Sequence, residues 1–105
     1  MTDRSQILDY IKATALQLLP GCKIMLFGSR ARKDYDIGSD YDFLIISTNN
    51  IPVKEKMVYK AQIRKQLAKE KIVADVLIQS ESEVKIKRRL LGHIVREIIK
   101  EGIFL

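Results

Sequence analysis

Two aspartates one residue apart, Asp40 and Asp42, stand at the head of the run Tyr41–Ser47 (YDFLIIS), which is apolar and partly β-branched after its polar start. That make-up is a strand's. Side chains two apart on a strand project to the same face, so the two carboxylates are held side by side. An earlier run, residues 22–27 (CKIMLF), is apolar apart from Lys23 and stops at Gly28. It has the character of a buried strand, although a run this short is also compatible with helix. Residues 29–39 mix glycine, arginine and aspartate without a sustained period and read as a loop with room for one helical turn after Gly28.

The flanking segments read as the support for these runs. Residues 5–19 place Leu8, Ile11, Ala15 and Leu18 or Leu19 three and four apart, an amphipathic helix that Asp3 or Ser5 can cap and Pro20-Gly21 stops. Thr48-Asn49-Asn50 is a turn cluster. Pro52 suits the first position of a cationic helix reaching about Glu70, with Met57, Val58, Ala61, Ile63, Leu67 and Ala68 as a loose apolar face. Residues 74–79 (ADVLIQ) form a third strand. Ser80 and Glu83 have capping-box spacing, and Leu90, Leu91, Ile94, Val95, Ile98 and Ile99 make a helical stripe ending at Gly102. Val84 and Ile86 alternate as a strand would, which leaves open whether that helix starts near Ser82 or near Arg88. The apolar tail Ile103, Phe104 and Leu105 suits an edge strand or a contact with a partner. The order of elements predicts an α/β (α+β) chain, a small mixed sheet with helices packed on it. Its 105 residues suit one domain, residues 1–105, with one modest core.

Composition narrows the classes further. A net charge of +6 points to an anionic partner, but the Lys and Arg residues are spread over helical segments, as they are on solvated faces. The basic segment 54–71 reads the same way, since Tyr59 is its only aromatic. No apolar stretch has the length of a membrane span. The start, MTDRSQILDY, has acidic and polar residues where a signal peptide needs a basic start and an apolar run. Cys22 is alone, so it forms no internal disulfide, and with the lone His93 it cannot build a zinc site. A cytoplasmic chain without membrane association is expected. Cys22 reads as a small buried apolar residue and His93 as a solvated surface histidine.

Two carboxylates this close repel one another unless a cation lies between them. Magnesium, a hard ion that favours carboxylate and phosphate oxygens, is the natural candidate. Asp75 opens the third strand, so if strands two and three are neighbours it brings a third carboxylate to the same edge. Three acids can hold two metals, a standard arrangement for in-line displacement at phosphorus. Gly28 allows close backbone approach to a ligand, and amides at the start of a following turn point at anions. Ser29 adds a hydroxyl, and Arg30 and Arg32 add positive charge for a polyphosphate.

The three pieces GSRAR from Gly28, SDYDFLI from Ser39 and ADVLI from Ala74 together resemble the signature of the minimal nucleotidyltransferases of the DNA polymerase beta-like superfamily. The resemblance extends over essentially the whole chain. It implies a nucleotidyltransferase fold in which Asp40, Asp42 and Asp75 are the catalytic, metal-binding acids and Gly28 and Ser29 the triphosphate-binding pair. Arg30, Arg32 and Ser39 complete the nucleotide-binding set. The acid matching Asp75 is the one credited with activating the attacking hydroxyl. The sequence departs from the common pattern at Lys33, where glycine is frequent, and at Phe43, where leucine is usual. Asp34 and Asp36 match nothing in the motif and read as solvated turn residues or weak outer groups. Tyr35 and Tyr41 flank the site, and strand parity turns Tyr41 away from Asp40 and Asp42 into packing.

The expected activity is magnesium-dependent transfer of a nucleoside monophosphate, AMP from ATP, to an acceptor hydroxyl with release of pyrophosphate. The resemblance also implies a separate helical partner, a HEPN-type toxin, with this chain as the antitoxin that adenylylates it on a tyrosine. Two other classes stand beside this reading: a non-catalytic partner-binding module of the same fold, and a basic nucleic-acid-binding domain. Base preference, acceptor and homo-oligomerisation are left open by the sequence.

Overall fold

The computed structural model describes residues 3–32, 36 and 38–105; Lys33, Asp34 and Tyr35, singled out above, lie outside the described residues. In chain order the elements are α1 (Arg4–Leu18), β1 (Lys23–Phe27), α2 (Ser29–Arg32), β2 (Tyr41–Ser47), α3 (Val53–Ala68) and β3 (Ala74–Ser80). They are followed by α4 (Glu81–Lys87), α5 (Ile94–Glu101) and β4 (Ile103–Phe104). The four strands form a mixed sheet in the order β3-β2-β1-β4. β1 runs antiparallel to β2 and β4, whereas β2 runs parallel to β3. The tail is therefore the edge strand its apolar character suggested.

β2 is apolar at successive positions because both of its faces are covered. Tyr41, Phe43 and Ile45 join Ile24, Leu26, Val76 and Ile78 in one cluster, beneath Ile11 and Ala15 of α1 and Ile63 and Leu67 of α3. Leu44 and Ile46 turn the other way, to Met25, Val84 of α4 and Val95 and Ile98 of α5. Side chains such as Phe43, Leu44 and Ile63 are fully buried, each contributing about 1.5–3 kcal/mol through removal from water.

Side-chain caps mark where α1 and α4 begin. The Asp3 carboxylate accepts from the Ser5 N–H at 2.9 Å at the start of α1. The Ser80–Glu83 capping box is present at α4, and the Ser80 and Ser82 hydroxyls donate to Asn50 Oδ1, tying the far ends of β2 and β3 together. Burial resists ionisation of Glu83. The Ser80 backbone N–H, the Lys56 ammonium and the Ser80 side chain outweigh it, so the carboxyl pKa lies below its ordinary value. Lys56 Nζ sits 2.9 Å from Glu83 Oε1, joining α3 to α4.

The helices depart from the sequence expectation in three places. Pro52 is the N-cap residue of α3, one position before the helix. The fully buried residues of α3 are Ile63 and Leu67, with Tyr59 one turn earlier packed half-buried against the same cluster; Met57 and Val58 fall on the exposed side, and the Lys56–Glu83 ion pair holds the opening turns. The C-terminal stripe is not one helix: α4 ends at Lys87, Leu90 and Leu91 lie in the turn before α5, and the stripe becomes helical only from Ile94. Gly92 in that turn has a left-handed φ of +78°, and Leu90, Leu91 and Ile94 are exposed. His93 is the N-cap of α5, its Nδ1 accepting from the Val95 N–H at 3.1 Å, a local role that its place among polar neighbours did not reveal. Among the described residues no helix is long and apolar enough to cross a membrane.

Candidate active site

Parity and register place the acids. Asp42 shares its face of β2 with Leu44 and Ile46, and Asp75 shares the same face of β3 with Leu77, so both lie at the rim of the cluster covered by α4 and α5. In the parallel β2–β3 ladder Asp42 is registered directly on Asp75, and in the antiparallel β1–β2 ladder it is registered on Phe27. The neighbouring strands required to bring a third acid to the pair are therefore neighbours. Asp42 is half-buried, and Asp40 and Asp75 are exposed.

The charges interact. Burial pushes the Asp42 carboxyl pKa above its ordinary value, the negative charges of Asp75 and then Asp40 push it further, and Arg32 works in the opposite direction. Among the described residues no three acidic, histidine or cysteine side chains are drawn together tightly enough to form a finished metal-ligand set. The donors themselves suit a hard divalent cation. They are all carboxylate oxygens, and the burial and neighbouring negative charges that disfavour ionised Asp42 are a conflict that a cation would relieve.

Gly28 closes the site from the β1 side. Its φ of +72° is a conformation that glycine adopts freely. A Cβ built there would run into the Asp42 carboxylate, whose Cγ would lie 3.3 Å away. The Gly28 carbonyl accepts from the Ala31 and Arg32 N–H groups at 3.1 and 3.2 Å, which folds Ser29–Arg32 into the single turn α2. Ser29 opens that turn and is half-buried beside the glycine.

The two arginines of GSRAR have different settings. Arg32 is exposed, and its Nη1 lies 4.0 Å from Glu101 Oε2 at the end of α5. Arg30 is 7% exposed, and its Nε and Nη2 donate to the Ser39 carbonyl at 3.2 and 2.9 Å. Its guanidinium also lies over the Tyr41 ring, 4.3 Å from the centroid. Tyr41 is buried on the opposite face from the acids. The Ser39 hydroxyl accepts from the Asp36 N–H at 3.0 Å. Neither Glu101 nor Arg4, whose Nη2 donates to the Arg30 carbonyl at 3.3 Å, carried any signal in the sequence. Both are ordinary helix charges until the fold brings them here. Cys22 is buried as expected, its thiol pKa raised by burial.

Residues 8–105 match the family model for the nucleotidyltransferase domain. The chain belongs to that family. The nucleotidyltransferase domain also has the fold of solved structures at low sequence identity. A candidate nucleotidyltransferase from Sulfolobus solfataricus superimposes with a TM-score of 0.63 at 20% identity, covering 94% of this chain and 76% of that one. A chain of the toxin–antitoxin assembly MntA–HpeT superimposes with a TM-score of 0.55 at 14% identity, covering 100% of this chain and 72% of that one. No curated protein sequence matches it significantly.

Proposed function

We propose that this nucleotidyltransferase moves AMP from ATP to an acceptor hydroxyl at the edge formed by Gly28, Ser29, Asp40, Asp42 and Asp75. The observation that carries the proposal is the register of Asp42 on Asp75 with Gly28 packed against the Asp42 carboxylate. Asp40, Asp42 and Asp75 would hold magnesium, two ions in the full site, and bound magnesium would supply positive charge to the phosphates. The Gly28 backbone and the Ser29 hydroxyl hold the β and γ phosphates, with Arg32 and Ser39 at the rim. Asp75 takes the proton of the acceptor hydroxyl. The acceptor oxygen then bonds to the α phosphorus as the bond from that phosphorus to the bridging oxygen breaks, and pyrophosphate leaves.

The acceptor in this reading belongs to a separate helical protein of the HEPN type, adenylylated in the cytoplasm, with the present chain as its antitoxin. The likeness to a chain of a toxin–antitoxin assembly supports it. So does the exposure of the apolar side chains Ile86, Leu90, Leu91 and Ile94 between α4 and the start of α5, of which Leu91 is 86% exposed, because exposed apolar groups gain from burial against a partner.

A ligand that binds only the folded state stabilises it by about 2.7 kcal/mol at a hundredfold excess over the dissociation constant, and the melting temperature rises accordingly. Mg-ATP is expected to raise the melting temperature progressively, and ATP with EDTA to do so far less. A melting temperature indifferent to Mg-ATP would favour a bare partner-binding module. A shift produced only by oligonucleotide, and lost steeply with salt, would favour the nucleic-acid-binding class.

A further inference from the structure

Ser39 and Tyr41 are the two neighbours of Asp40 in the chain, and one buried guanidinium holds both. Arg30 donates twice to the Ser39 carbonyl and covers the Tyr41 ring, while Tyr41 is also fixed by its N–H, which donates to the Val73 carbonyl at 3.0 Å. Arg30 is itself anchored, since it lies in α2 immediately beyond Gly28 and its own carbonyl accepts from Arg4. Among the described residues, the Gly28 contact with the Asp42 carboxylate and the Arg30 clamp around Asp40 both tie the turn after β1 to the start of β2.

We propose that Arg30 is the positioning residue for Asp40: its fork on the Ser39 carbonyl and its stacking on Tyr41 fix the backbone on both sides of Asp40 and so set the placement of that carboxylate relative to Asp42. This rests on the reading of Asp40 and Asp42 as metal-holding acids. It also gives Arg30 a task other than the phosphate contact that its place in GSRAR suggests. Only arginine suits the task, because a planar guanidinium can donate through two nitrogens to one carbonyl while lying flat on a ring, whereas a lysine ammonium is a point charge on a flexible stem. The guanidinium is nearly buried, so a shorter or neutral side chain would leave the Ser39 carbonyl short of donors.

The test uses Arg30→Lys, with Tyr41→Leu as a second variant that removes the ring and leaves the fork. In the metal-free protein, Arg30→Lys should shift and broaden the amide resonances of Ser39, Asp40 and Tyr41 while those of β3 stay in place. With magnesium alone as the probe, the concentration giving half of the thermal shift should rise by about tenfold or more, the scale of losing a group that orients a metal ligand. ATP binding measured in EDTA should stay within about twofold, because Arg30 would be spending its donors on Ser39 and not on phosphate. Tyr41→Leu should change the magnesium midpoint in the same direction by less. Weaker metal-free ATP binding with an unchanged magnesium midpoint would overturn the proposal in favour of a phosphate contact. A lower melting temperature with both ligands unaffected would overturn it in favour of a purely structural role. A native protein indifferent to magnesium and ATP would instead overturn the nucleotidyl-transfer site on which it rests, and is recognised because the failure appears before any substitution is made.

Discussion

Asp42→Asn is expected to abolish nucleotidyl transfer and, without divalent metal, to raise the melting temperature. Loss of activity follows from removing the central acid, the one registered on Asp75 and packed against Gly28. A fall of at least ~10²-fold is the scale for deleting one preorganised charge-stabilising group. The gain in stability follows from the direction of the Asp42 pKa, raised by burial and by the charges of Asp75 and Asp40. The folded chain binds this proton more tightly than the unfolded chain does. The stabilisation linked to protonation is therefore complete below the ordinary aspartate range and is lost as pH rises through the raised pKa. At neutral pH ionised Asp42 destabilises the fold, and the neutral amide removes that cost. Thermal melts in EDTA should show the variant above the native protein at neutral pH, with the difference shrinking as the pH is lowered into the range where Asp42 is protonated. A variant that melts below the native protein at neutral pH would contradict the convergent cluster. Transfer is followed with ATP labelled in the α phosphate and a HEPN-type protein, the acceptor proposed above, added as acceptor.

Gly28→Ala is expected to lose both activity and stability, a pattern opposite to that of Asp42→Asn in the second term. Alanine at φ +72° carries backbone strain of roughly 1–2 kcal/mol, and its Cβ would collide with the Asp42 carboxylate. In a domain of this size each kcal/mol lowers the melting temperature by about 4–8 °C. Because strain and collision arise at one contact, a double-mutant cycle with Asp42→Gly should be non-additive: shortening residue 42 removes the collision and leaves the backbone strain. Urea melts of the four proteins measure the coupling, and additive losses would show that Gly28 and Asp42 do not touch.

Which features could be read from the sequence depended on whether their signal was local. The apolar run of β2 and the Ser80–Glu83 spacing each carry their own cause, burial on both faces in one and reciprocal capping in the other, and both stand where the sequence placed them. Asp42 and Asp75 are separated in the chain by the rest of β2 and all of α3, and their pairing is settled only by the parallel register of β2 on β3. Met57, Val58, Leu90 and Leu91 have helical spacing yet are exposed, since periodicity does not tell which helix face finds the sheet or that Gly92 breaks the stripe. Arg30 and Arg32 look alike in GSRAR. Their burial separates them, and burial is a property of the packed loop and not of the motif.

Asp40, Asp42 and Asp75 are expected to hold a divalent ion together with a nucleotide beside Gly28 and Ser29. Substoichiometric Mn²⁺ added with ATP to the isotopically labelled protein tests it residue by residue through paramagnetic broadening of amide resonances. The amides of Gly28, Ser29, Asp40, Asp42 and Asp75 should broaden first, and Asp42→Asn should remove the effect. Broadening centred elsewhere on the surface, or unaltered by Asp42→Asn, would contradict the account.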